Sequence, residues 1–120
     1  MSILISFRRD KEITILELSG RLLGDELEEI DTEVENYLTG QKNVPAEAGF
    51  RRIRDKLIVD LSWVEYIGCR GIAMLLTFDK KHQVKLAAPQ LLVRQSLNLL
   101  GINSILEIYE TLDEAIKSYR

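Results

Sequence analysis

Gly68, Cys69, Arg70 and Gly71 stand between two apolar runs, and they are the residues best placed to do chemistry. Leu57 Ile58 Val59 Asp60 Leu61 reads as a buried strand, and Gly71 Ile72 Ala73 Met74 Leu75 Leu76 opens a helix suited to packing on a sheet. The residues between them therefore sit at a helix N-terminus. Unpaired backbone N–H groups and the positive end of the helix dipole suit an anion, a phosphoryl group or a thiolate there. Cys69 has two readings. A helix N-terminus and a neighbouring arginine favour a reactive thiolate; a small residue filling space without chemistry is the plainer alternative. Arg70 offers a planar fork for a partner's carboxylate or phosphate, or stands solvated.

No other constellation points to a reaction. Asp25 and Asp60 form no acid/base couple that the sequence pairs, and there is no set of nucleophile, base and orienting group. The spacing of Gly68 and Gly71 is too short, and lacks the lysine, for a phosphate-cradling loop. Enzyme activity and nucleotide binding are not expected. With one cysteine and one histidine, His82, the chain has no zinc spacing and no intramolecular disulfide. No metal and no cofactor is expected. Trp63 and Tyr66, just before the glycine-flanked stretch, are partner anchors if exposed and core residues if not. Arg51, Arg52 and Arg54 form the one local basic cluster, suited to an acidic partner or a lipid headgroup, or to plain solvation.

Around this junction the periodicities alternate. Residues 3–7 and 13–18 read as a hairpin across a charged turn, and Leu27, Ile30, Val34 and Leu38 recur at helical spacing among acidic residues. Residues 39–56 lose that period and read as a long loop insertion punctuated by Gly40, Pro45 and Gly49. After the strand at 57–61 and the helix from 71 come a strand at 84–88 and a helix at 90–100. That helix carries Leu92, Val93, Leu97 and Leu100 and is closed by Gly101. A strand at 105–109 and a helix capped by Thr111 end the chain. Strands alternating with helices predict an α/β fold with parallel βαβ units.

The 120 residues suit one domain, with 46% hydrophobic and 29% charged residues, a composition that folds rather than stays disordered. A formal net charge of −3 offers no footprint for nucleic acid. No apolar run reaches the roughly 20 residues a membrane span needs, and there is no secretory leader pattern. A cytoplasmic location is expected.

Asp60 Leu61 Ser62, a few mostly apolar residues, and Gly71 opening a helix resemble the STAS family, the fold of the bacterial anti-sigma factor antagonists. Gly20 Arg21 Leu22, the stretch from Leu97 to Ile102 and the ending from Tyr109 to Ala115 also resemble family positions, so the likeness covers nearly all of the chain except the insertion. It implies a single STAS-like α/β domain over residues 1–120. The mixed, mostly parallel sheet would have about five strands with an N-terminal hairpin, covered by about four helices. The family's Asp, phosphorylatable Ser and second Ser/Thr fall on Gly68, Cys69 and Arg70, so no hydroxyl remains in the signature and ordinary phosphoswitching there is not expected. Ser62, Thr77 and Ser96 remain as other modifiable hydroxyls.

The resemblance implies a non-enzymatic interaction module with Asp60, Ser62, Trp63, Tyr66, Cys69, Arg70 and Met74 as its partner-binding residues. Its partner would be a kinase-fold anti-sigma factor or another STAS or sensor protein, in transcriptional signalling, and nothing opposes a homodimer. The alternatives are a cytoplasmic STAS subunit of a lipid-transport or permease complex, and a redox sensor acting through Cys69.

Overall fold

The computed structural model describes residues 3–24, 26–42 and 55–120. Asp25 and the arginines of the 39–56 stretch lie outside the described residues. Strand β1 (Leu4–Asp10) turns through Lys11 and Glu12 into β2 (Ile13–Leu22), with Asp10 paired to Ile13. Then follow α1 (Leu27–Lys42), β3 (Lys56–Ile67), α2 (Cys69–Lys81), β4 (Gln83–Ala87), α3 (Leu91–Leu99), a single 3-10 turn (Ile102–Ser104), β5 (Glu107–Tyr109) and α4 (Leu112–Ser118). The five strands form one sheet in the order β1-β2-β3-β4-β5; β1 and β2 are antiparallel and every other pair is parallel. This is the mixed α/β architecture that alternating strand and helix periods predict.

Alternation along the strands divides the core in two. Leu16 and Leu18 of β2, Leu57, Val59 and Leu61 of β3, and Val84 and Leu86 of β4 join the larger cluster. The helical stripe Leu27, Ile30, Val34 and Leu38, with Leu75 and Phe78 of α2, covers it. The intervening residues Ile13, Ile15 and Ile58, with Ala87, turn to the other face, where α4 packs through Ala115, Leu112 and Ile116. Among the described residues, α1, α2 and α3 pack on one sheet face and α4 on the other.

Several boundaries differ from the sequence reading. The first helix continues through Gly40 to Lys42, the last residue described before 43–54, so the helical period does not end at Leu38 as the sequence reading has it. Strand β3 does not stop at Leu61 but runs to Ile67, because the ten-residue β2 offers it backbone partners along that whole length. In α3, Val93 and Leu97 are buried as their spacing predicts, but Leu92 and Leu100 are exposed. Gly101 does occupy the left-handed conformation (φ 74) expected just past a helix end. Thr111 caps α4 by accepting a hydrogen bond from the Glu114 N–H at 3.1 Å.

Candidate functional site

Two irregularities in β3 build the approach to the glycine-flanked stretch. Between the pairs Glu17 with Asp60 and Ser19 with Trp63, β3 holds one residue more than β2, and it does so again between Gly20 with Val64 and Arg21 with Tyr66. These are β-bulges, which bend a strand and re-aim its side chains. The first is held locally: Asp60 is only 6% exposed and its Oδ1 accepts from the Ser62 N–H at 3.0 Å and the Ser62 hydroxyl at 2.7 Å. The Ser62 carbonyl in turn accepts from Gln90 Nε2 at 2.8 Å, tying the bulge to the start of α3. A carboxylate that is buried must find donors, and Asp60 finds them two residues along. Asp60 and Ser62 therefore satisfy each other and hold the first bulge.

Beyond the second bulge the chain turns directly into α2. The Gly68 N–H donates to the Leu22 carbonyl at 2.9 Å, and the Gly68 carbonyl accepts from Ile72 N–H at 3.1 Å to begin the helix. Helix α2 starts at Cys69, two residues earlier than its apolar period suggests. Gly71 is buried against β2 and β3: a Cβ there would lie 2.7 Å from Ile67 Cγ1 and 2.9 Å from the Leu22 carbonyl oxygen. Only glycine lets the first turn of α2 approach this closely. Gly68 caps the helix in an extended conformation (φ −96) without any side-chain cap, and the first turn carries no acidic residue.

Cys69 and Arg70 project from this turn and are exposed. The Arg70 guanidinium reaches over Gly24, where an added Cβ would be 4.0 Å from Nη1. A cation at the N-terminal end opposes the helix dipole, so Arg70 does not stabilise α2 by its position. Met74, one turn on, is 8% exposed and belongs to the core. It lies on the apolar stripe that seats α2 on the sheet, whereas the sequence places it among the partner-binding residues.

Trp63 and Tyr66 are exposed, at 70% and 41%, which decides against core packing for Trp63. They do not share the α2 surface. Trp63 is opposite Ser19, which alternates with Leu18 and so faces the side of the sheet on which α4 packs. The sequence-selected residues thus fall into three groups: Gly68, Cys69, Arg70 and Gly71 at the α2 terminus; Trp63 and Tyr66 on the outer sheet face; and the buried Asp60 and Met74 with the half-buried Ser62.

A further cluster, not singled out by the sequence, sits at the other end of α2. His82 is 1% exposed, with Nε2 3.1 Å from Glu35 Oε2 and Nδ1 3.5 Å from Asp55 Oδ2. Lys81 adds contacts of 3.7 Å to Asp31 and 3.9 Å to Glu35. The two carboxylates meet opposite ring nitrogens, an arrangement that clamps α1 and the start of β3 to the end of α2. Nothing in the sequence distinguishes this histidine, because its acidic partners are 47 and 27 positions away. No group of three or more His, Cys, Asp or Glu among the described residues has metal-holding geometry.

Comparison with known proteins agrees with this architecture. The STAS domain family model matches residues 5–115, and the chain belongs to that family. Among solved structures, an anti-sigma factor antagonist from Mycobacterium paratuberculosis is similar with a TM-score of 0.78 and 20% identity, covering 98% of this chain and 93% of that one. A putative anti-sigma factor antagonist from Thermotoga maritima gives a TM-score of 0.77 at 20% identity, over 95% of this chain and 92% of that one. The anti-sigma factor antagonist SpoIIAA in its unphosphorylated form gives 0.70 at 15% identity, over 98% and 96%. A search among curated proteins gave no match. At these identities the solved structures establish a shared fold.

Proposed function

We propose that this chain is a non-enzymatic, cytoplasmic interaction module of the anti-sigma factor antagonist kind. It regulates a kinase-fold anti-sigma factor, or another STAS or sensor protein, by binding it through the α2 N-terminus. One observation carries the reading. Gly71 seats the first turn of α2 rigidly against Leu22 and Ile67, while Cys69 and Arg70 stand exposed on that turn. A preorganised helix start without a side-chain cap, and with an exposed arginine on its first turn, suits recognition of a partner's acidic group. Serine phosphorylation at the signature plays no part in this reading, since Gly68, Cys69 and Arg70 carry no hydroxyl.

The transport-complex alternative draws no support from a specific feature of this chain. No helix among the described residues is long and apolar enough to cross a membrane, which bears only on a helical span. The test is capture of the tagged protein from its source cells after mild crosslinking, beside the variant Cys69→Glu. A kinase-fold partner that is lost from Cys69→Glu supports the reading. A transporter ATPase or permease as the captured partner makes it wrong.

A further inference from the structure

The sheet face on which α4 packs carries a groove of about 570 Å³ at the end where β1 begins and β2 finishes. Register places Leu4, Ser19 and Trp63 in one row across β1, β2 and β3, and all three line the groove. The smaller core cluster under α4 involves Ile13, Ile15 and Ile58, toward the opposite end of the same strands. Helix α4 therefore leaves this row open. Leu4 is 68% exposed and Trp63 70%, so an indole and an aliphatic side chain stand in water on an otherwise regular β surface.

The charged residues lining this groove are both acidic, Glu17 and Glu65. Glu17 is held on one side by Arg8, with Nε 3.4 Å from its Oε2. Glu65 is exposed on the bulge next to Trp63 and has no ion-pair partner among the described residues. Arg21 lies one row further on, paired in register with Tyr66, and does not line the groove. An indole face beside an uncompensated carboxylate suits one chemistry above others. A guanidinium or ammonium group stacks on the ring while pairing with the carboxylate, and its aliphatic stem lies on Leu4.

We propose that the Trp63–Glu65 groove on the outer sheet face is a second docking surface, for an arginine- or lysine-bearing segment of a partner protein. It goes beyond the α2-terminal site and needs none of its residues. The two surfaces use opposite faces of the sheet, so one copy of the chain can hold a kinase-fold partner at α2 and a basic segment at Trp63. Linked in this way, two weak contacts act as one stronger one when both belong to the same assembly.

Trp63 is the only tryptophan of the chain, so its emission reports on this groove alone. The test titrates the purified full chain with the capped peptide Ala-Arg-Ala-Arg-Ala, and in parallel with Ala-Glu-Ala-Glu-Ala, while following Trp63 fluorescence. The expected result is a saturable change with the arginine peptide only, weakened by added salt. Glu65→Gln should raise the half-saturation concentration about threefold, as loss of one exposed ion pair does. Trp63→Ala, followed by calorimetry with the same peptide, should raise it about fivefold or abolish binding. Cys69→Glu should leave it unchanged, which separates this surface from the α2 terminus. A response of equal size with the glutamate peptide, no saturable response, or binding untouched by Glu65→Gln and Trp63→Ala would each overturn the proposal. Both variants alter exposed side chains, and circular dichroism verifies that they fold.

Discussion

Gly71 and Leu22 touch so closely that a methyl group on the glycine would stand 2.9 Å from the Leu22 carbonyl oxygen, the same oxygen that accepts the Gly68 N–H. The contact fixes where α2 begins relative to β2. Gly71→Ala forces either the helix start or the end of β2 to move, and overpacking of this kind typically costs about 1–3 kcal/mol. The expected outcome is a lower denaturation midpoint together with weaker partner capture. Unchanged stability would mean that the turn yields, and that Gly71 does not hold the α2 terminus rigid.

Tyr119, just beyond α4, donates its hydroxyl to the Gln83 carbonyl at 2.6 Å, with the Leu57 carbonyl 3.2 Å away. Burial raises its pKa above the ordinary tyrosine range, and the carboxylates of Glu107 and Asp79 push in the same direction. The folded chain therefore keeps this phenol neutral at pH values where the unfolded chain ionises it. Its contribution is intact below a pH of about 10 and declines as pH rises above that. Urea midpoints measured across this range should fall with rising pH in the wild type. Tyr119→Phe should flatten the decline while losing about 1 kcal/mol at neutral pH through the missing hydrogen bond.

The clamp at His82 gives a separate expectation. Its ring is buried between Glu35 and Asp55, so His82→Ala removes packing and leaves two carboxylates facing a cavity. Both acids keep some exposure, which limits the electrostatic share. A total of about 2–3 kcal/mol is expected from denaturant unfolding. An effect below about 0.5 kcal/mol would show that α1 and α2 hold together without the clamp.

Much of this was legible in the sequence because it depends on local period. Leu27, Ile30, Val34 and Leu38 mark a helix face, Gly101 and Thr111 mark helix ends, and the structure places each as its local pattern requires. What the sequence misplaces depends on distant partners. The continuation of β3 past Leu61 rests on pairing with β2, some forty residues earlier, and on bulges that break the alternation by which a strand is recognised. Asp60 and Ser62 look like surface chemistry in sequence because they are polar beside a loop-like stretch; their mutual hydrogen bonds become visible only once that stretch is a strand. Met74 has the opposite fault: helical spacing from Gly71 does not by itself say which face meets the sheet. Trp63 and Cys69, six positions apart, read as one site but stand apart, Trp63 on the outer sheet face and Cys69 at the start of α2, because each bulge shifts the alternation by one residue.

Cys69 opens α2 with its side chain exposed. A thiol reagent such as dithionitrobenzoate should therefore titrate one thiol per chain in the native state. The reaction should need no denaturant. Labelling that appears only after unfolding would place the thiol inside and remove the redox-sensor alternative.

Gly68 allows stability and recognition at the α2 terminus to be separated. Its backbone already has the conformation of a helix cap, with no side chain to use it. An added Cβ would meet Leu23 Cδ2 at 3.5 Å and the Leu22 carbonyl oxygen at 3.6 Å, which are ordinary contacts. Gly68→Ser should therefore fit, and its hydroxyl can accept from the free N–H groups of the first turn, adding a few tenths of a kcal/mol to stability. Gly68→Asp adds a charge that the helix dipole favours, for about 0.3–1 kcal/mol at low salt. If a partner's acidic group uses those same N–H groups, both variants should be more stable than the wild type and yet bind the partner less well, Gly68→Asp the more so. Binding that rises or holds steady as stability rises would show that the partner does not use the helix N-terminus.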